Sequence, residues 1–473
     1  MSALDLAVRA AEDALDVAPG LRARVEQVSL VNVLSPVGAA PARHLAARTG
    51  LSPRRTEVTT VGGNSPQWLV SRAAAAIAAG QLQCALVAGA EAQHSGRRAA
   101  PEGPGARGVP GTAGGHDDGD VDPIVGDGRA PLGDAELAVG LVAPVHVYAM
   151  FENAIAGRAG RTPSEQRAVL GALMAPFSAV AAGHRAAWFP QARTAAELAA
   201  VHPGNRLVAE PYPKRMCAVL AVDQGAAVVV CSLAVARACG VADRAVFCWS
   251  GAEAADVWFP AARPDLASSP AIGAAATAAL EAAGLGIDDI GAFDLYSCFP
   301  CAVEMAVEAL GITAGDPRGL TVTGGLPYFG GPGNNYSLHA IATMADVLRA
   351  RGGAGLVTAM GWYATKHAVG VYGSTPPARG WCRGDTTAAQ SAIDAAALDV
   401  ALEARGEAVV TASTVVYGRD GSVTAAPVVA RLGDGRQVAA AAEPDQLEGL
   451  AGCNIVGDRV VVAGAPPRYR RVG

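Results

Sequence analysis

Val61-Gly-Gly-Asn-Ser-Pro-Gln67 leads into the small-residue run Ser71-Arg-Ala-Ala-Ala-Ala-Ile77, then Gly80, then Cys84-Ala-Leu-Val-Ala-Gly-Ala90. Late in the chain the same layout returns. Gly330-Gly-Pro-Gly-Asn-Asn335 leads into His339-Ala-Ile-Ala-Thr-Met-Ala-Asp-Val-Leu348, then Arg351-Gly-Gly353, then Gly355-Leu-Val-Thr-Ala-Met360. Each stretch reads as a Gly/Asn turn, a helix rich in small residues and a short apolar strand. The strand runs are too short, and too closely bounded by glycine, to be helices. Small side chains let a helix lie close to a sheet or to a twin helix. The pair of stretches therefore predicts a duplicated α/β core.

Outward from these two stretches the texture changes. Residues 95–140 read as loop: Ala99-Ala-Pro-Glu-Gly-Pro-Gly and His116-Asp-Asp-Gly-Asp-Val-Asp122 carry turn residues with little apolar periodicity. The Asp run lacks the closing Glu of an EF-hand loop, so a solvated loop is expected there and no metal site. Residues 141–195 read as Ala-rich helices. Ala218-Val-Leu-Ala-Val-Asp-Gln-Gly-Ala-Ala-Val-Val-Val230 reads as strand, turn and strand. Ser374-Thr-Pro-Pro-Ala-Arg-Gly380 reads as a linker. Beyond it, a helix-like segment (388–405) precedes short alternating runs punctuated by Asp420-Gly421 and Asp434-Gly435, a strong hairpin signal. The expected units are 1–245, with a loop insertion at about 95–205, then 246–375, then a small β-barrel over 376–473.

Bulk properties narrow the function classes. Apolar residues make up 51% and charged residues 17%, enough for a sizeable core. A net charge of −6, with Lys214 and Lys366 the only lysines, argues against a nucleic-acid surface. The start, Met1-Ser-Ala-Leu-Asp-Leu6, opens an amphipathic helix and does not read as an export signal. The apolar stretch 216–236 is broken by Asp223-Gln-Gly225, so no membrane span is expected. Nine scattered cysteines suit a reducing cytoplasm. Cys298 and Cys301 form a C-x-x-C pair with no second pair at zinc spacing.

Residues 61–92, 205–230, 294–311 and 324–373, in this order, resemble a thiolase, and most closely the sterol-carrier-type thiolases and the thiolase-like branch of actinobacteria. The resemblance covers about residues 1–375. It implies a five-layer α/β/α/β/α core, and the C-terminal module resembles the oligonucleotide-binding-fold-like domain added in that branch. Thiolase cores open with a strand before the first helix, whereas here Met1 begins at the helix.

A thiolase attacks a thioester with a cysteine at a helix N-terminus, where the dipole and nearby amides favour the thiolate. A Gly-His-Pro histidine activates it and donates to the oxyanion, an Asn-Glu-Ala-Phe or His-Asp-Cys-Phe segment lines the pocket, and a final Cys-x-Gly cysteine moves the proton. Oxyanion stabilisation is usually the largest catalytic term. On this chain the nucleophile's place falls on Gly63, the Gly-His-Pro motif reads Gly330-Gly331-Pro332, and the final cysteine is Met360. Cys298, in Tyr296-Ser-Cys-Phe-Pro300, matches the cysteine of His-Asp-Cys-Phe. Glycine forms no acyl-enzyme, so the ordinary condensation is unavailable.

The resemblance makes Cys298, His339 and His367 the candidate catalytic residues, an activated thiol with two histidines to serve it. Each also has a plain reading, as a buried cysteine or a packed histidine. Asn64, Ser65, Tyr296, Ser297, Asn334, Asn335 and Met360 are the candidate substrate-binding residues. For the asparagines and Ser65, helix capping explains the sequence equally well. Two functions follow. One is an acyltransferase, or an enzyme that makes or breaks carbon–carbon bonds, acting on an acyl thioester or β-dicarbonyl. The other is a non-catalytic ligand-binding protein or partner scaffold. No tightly bound cofactor is expected, and a coenzyme A thioester is a candidate substrate. An acyl-carrier protein or second subunit on the β module, and a homodimer paired across an edge strand, are the candidate assemblies.

Overall fold

The computed structural model describes residues 1–99 and 121–472. The His116–Asp120 part of the Asp-rich run lies outside them. Asp122 is described: its carboxylate accepts from the Ala42 amide (2.7 Å) and the Thr56 hydroxyl (2.8 Å), holding a helix start to a strand.

Helix α1 (Ala3–Leu15) starts on a capping box in which Ser2 and Asp5 exchange side-chain-to-backbone hydrogen bonds. Then follow β1 (Gln27–Leu30), α2 (Pro41–Arg48), β2 (Arg55–Thr59), α3 (Ser65–Ala78), β3 (Cys84–Ala92) and the short β4 (Ile124–Val125). After helices α4 (Pro144–Arg158) and α5 (Pro163–Gly183) the chain returns as β5 (Asp223–Cys231). The first sheet has the order β4-β2-β1-β3-β5, with β5 antiparallel to β3 and the rest parallel. Only one strand forms where strand–turn–strand was expected over 218–230. Asp223 opens it and does not sit in a turn, because its carboxylate is held by the amide and hydroxyl of Ser95.

The second half runs β6 (Phe247–Ala255), α6 (Pro270–Ala283), β7 (Ile290–Asp294), α7 (Pro300–Leu310), α8 (Tyr336–Arg351), β8 (Ala354–Gly361) and β9 (Lys366–Gly373), with Cys382–Arg383 as β10. Its sheet has the order β10-β6-β9-β8-β7. In both sheets a parallel pair (β1 with β3, β7 with β8) is followed by an antiparallel strand (β5, β9). The two Gly/Asn turns lead into α3 and α8, which touch each other and both sheets. Helices α1 and α2 cover the outside of the first sheet, and α6 with α7 the outside of the second, giving five layers. Strands β3, β8 and β9 are buried along their whole length, as strands covered on both faces must be.

The chain stays with the second half beyond residue 376. β10 pairs with β6, and the helix Thr387–Ala395 packs on α6 and β6. The barrel begins at β11 (Val400–Ala401) and continues through β12 (Ala404–Ser413), β13 (Pro427–Leu432), β14 (Gln437–Ala442), β15 (Arg459–Gly464) and β16 (Arg468–Arg471). Pairing of β14 with β16 closes five strands on themselves, and β11 joins outside on β14. The barrel is tied to the insertion, since Val416 pairs with Ala209 and the Asn153 amide donates to the carbonyls of Glu210 (2.7 Å) and Ser413 (2.9 Å).

Candidate functional site

The turn before α3 brings Gly63 against the loop that follows β7. A Cβ built on Gly63 overlaps the Tyr296 hydroxyl and stands 2.5 Å from the Met360 carbonyl oxygen. The tyrosine thus occupies the space a side chain at 63 would enter. Tyr296 is fixed there by its own amide, which donates to Thr358 Oγ1 (2.8 Å), and by an edge-on contact with Tyr336 (5.5 Å between ring centres). Tyr336 in turn donates to Asp294 (3.0 Å). Tyr296, Met360 and His367 share a cavity with Ile272 and Ala302 whose volume is ≈ 10 Å³. That is room for about one water.

Cys298 lies just before the start of α7, 8% exposed. Burial pushes its thiol up to about 12, opposed in part by the Tyr148 hydroxyl and the Phe299 amide. Neither His339 nor His367 is hydrogen-bonded to it among the described residues; its polar neighbour is Tyr148. That hydroxyl donates to the Trp362 carbonyl (2.8 Å), accepts from the Ala364 amide (2.9 Å), and lies 3.3 Å from the Met360 sulfur. Trp362 and Ala364 both have positive φ, 56° and 51°, in the tight β8–β9 turn. The clamp on both sides from Tyr148 holds this uncommon geometry.

The two histidines part company. His367 Nε2 faces Asp256 Oδ2 (3.2 Å) and the Ala364 carbonyl (3.1 Å). Burial works to raise Asp256, but His367, Arg263 and Ser269 outweigh it and hold the carboxyl below its usual range. His339 lies on α8, edge-on to Phe329 (5.2 Å), and burial pushes it down to about 3. It opens onto a different space, the groove beside β5.

The remaining candidates serve the two turns. Asn334 accepts from the Gly62 amide (2.9 Å) and donates to the Asn32 carbonyl (3.0 Å), tying the twin turns together. Asn335 donates to the Gly89 carbonyl (2.6 Å). Ser65 donates to the Thr60 carbonyl (3.3 Å) and does not accept from helix amides. Asn64 occupies the N-cap position without a side-chain cap bond. Ser297 is fully buried, and its hydroxyl fills the space a side chain at Gly325 would need.

Sequence reasoning missed Tyr148, Asp256 and Lys366. Tyr148 arrives from an insertion helix with no motif around it. Lys366, one of only two lysines, had a compositional signal. Its ammonium donates to the Val61 carbonyl (2.8 Å) and sits 5.6 Å from the centre of the Trp362 ring, and burial pushes its pKa down to about 8. No set of three or more His, Cys, Asp or Glu side chains among the described residues is arranged to hold a metal ion. No helix of the described residues is long and apolar enough to cross a membrane.

Comparison with solved structures bears on this architecture. A structure described as a monomeric SCP2-thiolase like protein type 1 from Mycobacterium smegmatis matches over 100% of this chain and 96% of its own, at 30% identity and TM-score 0.84. The chain belongs to the thiolase-like protein type 1 family. Residues 389–464 match the additional C-terminal domain of thiolase-like protein type 1, which places the closed barrel of this thiolase-like protein. Two more distant structures share the core fold. An assembly described as an Ltp2-ChsH2(DUF35) aldolase matches at 20% identity and TM-score 0.59, and human mitochondrial 3-ketoacyl-CoA thiolase at 18% and 0.56. Each covers 79% of this chain and 93% of its own. A search of curated proteins found no match.

Proposed function

We propose that this thiolase-like protein is a non-catalytic member that uses the thiolase shell as a scaffold for a partner protein. One observation carries the reading: the Tyr296 hydroxyl takes the volume from which a thiolase nucleophile would act at Gly63. The surroundings agree. A thiol raised to about 12 is almost wholly protonated near neutral pH, and the thiolate is the attacking form. Among the described residues no histidine is hydrogen-bonded to Cys298, and the cavity beside Tyr296 admits about one water, not an acyl chain. The distant aldolase is described as a complex with a DUF35 partner, which lends the scaffold role a parallel on the same core fold.

The test is intact-mass analysis after incubation with a panel of acyl-coenzyme A thioesters, alongside the Cys298→Ala variant. The expected result is no covalent adduct and no turnover from either protein. An adduct or turnover that disappears in Cys298→Ala would establish the acyltransferase reading in its place.

A further inference from the structure

Three of the nine cysteines gather at one end of the first sheet. Cys84 opens β3, Cys231 closes β5, and Cys239 caps the short helix Leu233–Ala238 that follows β5. Cys84 is fully buried, while Cys239 is partly exposed, its sulfur 3.3 Å from where a Cβ on Gly20 would stand. Burial, then the neighbouring Cys231 and Cys239, push the Cys84 thiol up to about 12. Burial and Cys239 push Cys231 up to about 11. Each thiol therefore lies within electrostatic reach of the other two.

Cys84 lies directly opposite Cys231 in the β3–β5 ladder, and the phase of that ladder sets how closely they approach. One step on, the Ser232 amide donates to the Gln83 carbonyl (2.9 Å). The Cys84 carbonyl points the other way, toward β1, and accepts from the Glu26 amide (2.9 Å). In an antiparallel pair, opposed residues alternate between hydrogen-bonded pairs and pairs with no hydrogen bond between them. Gln83 with Ser232 is a bonded pair, so Cys84 with Cys231 is not. In such pairs the Cα atoms stand only about 4.5 Å apart and the side chains are drawn together. Disulfides span Cα separations of about 4.4–6.8 Å, so this pair can be bridged with the backbone where it is. Among the described residues no other two cysteines face each other across a ladder.

We propose that Cys84, Cys231 and Cys239 form an oxidation site, in which a low-molecular-weight disulfide enters at Cys239 and leaves a Cys84–Cys231 bond joining β3 to β5. Cys239 attacks the disulfide, forms a mixed disulfide and releases one thiol. The Cys231 sulfur attacks Cys239 and expels the second thiol. Cys84 then attacks Cys231 and frees Cys239 again. Two cysteine thiols are oxidised to one S–S bond, the S–S bond of the oxidant is reduced to two thiols, and both protons leave on the thiols released.

The bond closes a loop around residues 85–230, which include helices α4 and α5 and so the segment that carries Tyr148. A cross-link around so long a loop strongly restricts the unfolded chain. Oxidation at one end of the first sheet thereby stiffens the whole first half against unfolding. The inference stands apart from the scaffold reading, since neither Cys298 nor Gly63 takes part in it.

The experiment treats the full chain with glutathione disulfide and quenches with iodoacetamide. The protein is expected to lose two of its nine free thiols, and a non-reduced digest should join the peptide of Cys84 to that of Cys231. The midpoint of urea unfolding should move to higher urea and return when dithiothreitol is added. Cys84→Ala should abolish the link and most of that shift. Cys239→Ala, with its circular dichroism kept, should form the same bond at least tenfold more slowly. Nine thiols remaining, a bond between other cysteines such as Cys298 and Cys301, an unmoved midpoint, or an equal rate in Cys239→Ala would each overturn the proposal.

Discussion

A single methyl group at Gly63 would collide with a side chain and with main chain at once, the Tyr296 hydroxyl and the Met360 carbonyl oxygen. The ring can turn aside only by leaving its contact with Tyr336, and the carbonyl belongs to β8, buried along its whole length. Overpacking of this kind costs about 1–3 kcal/mol. Gly63→Ala is therefore expected to lower stability by about that much in urea denaturation, and adding Tyr296→Ala should recover less than all of the loss, since the Met360 oxygen remains. Full recovery, or no loss in the single variant, would show that the turn yields more readily than its contacts imply. Tyr148 and Lys366 belong to the same scale. Nothing periodic announces either, because each acts at the end of a contact that joins elements far apart in the chain.

Among elements, the seam of α4, α5 and α7 contains a buried acid. Glu152 is fully buried on α4 and accepts from Gln166 Nε2 (2.6 Å) and the Tyr212 hydroxyl (2.7 Å). Gln166 also reaches Glu304 of α7 (3.2 Å). Burial, with Glu304 nearby, raises the Glu152 pKa well above the usual carboxylate range. A raised folded-state pKa means the folded form holds the proton more tightly. Its stabilising contribution is whole below the unfolded value of about 4.3 and is lost as pH rises toward the folded value. Glu152→Gln mimics the protonated acid at every pH. The variant and the parent should melt together near pH 4, and the variant should be the more stable by on the order of 1 kcal/mol at pH 8. Parallel pH profiles of the melting temperature would rule this out. Two elements of this seam, α4 and α5, were legible as Ala-rich helices over 141–195. The acid between them was not, since its partners lie on three separate segments.

For the whole molecule, the barrel and the core share a seam and not merely a linker. Asn153 donates to two carbonyls there, Tyr417 donates to Glu210 (2.9 Å), and Asn454 donates back to the Asn153 carbonyl (2.9 Å). Calorimetry of the full chain is expected to show one transition. Asn153→Ala, which leaves two buried carbonyls without that donor, should lower it by about 2 kcal/mol with core and barrel still melting together. Two resolved transitions in the parent chain would refute this. At this scale the sequence was most readable: paired Gly/Asn turns foretold twin central helices, and Asp-Gly turns foretold a β module. The boundary near 376 was misleading, because Ser374–Gly380 only carries the chain across to β10, and two residues of strand leave no periodic trace. The filled site was unreadable for a related reason. The sequence shows only a glycine at 63; that the Tyr296 hydroxyl stands where its side chain would go is visible only in three dimensions.

That occupancy makes a side chain at position 63 hard to admit. A mutation placing cysteine at position 63 would meet the phenol and the backbone together, so it must pass through a weakened protein or come with a second change. Packing, and not only the choice of residue, thus guards this turn against any new side chain.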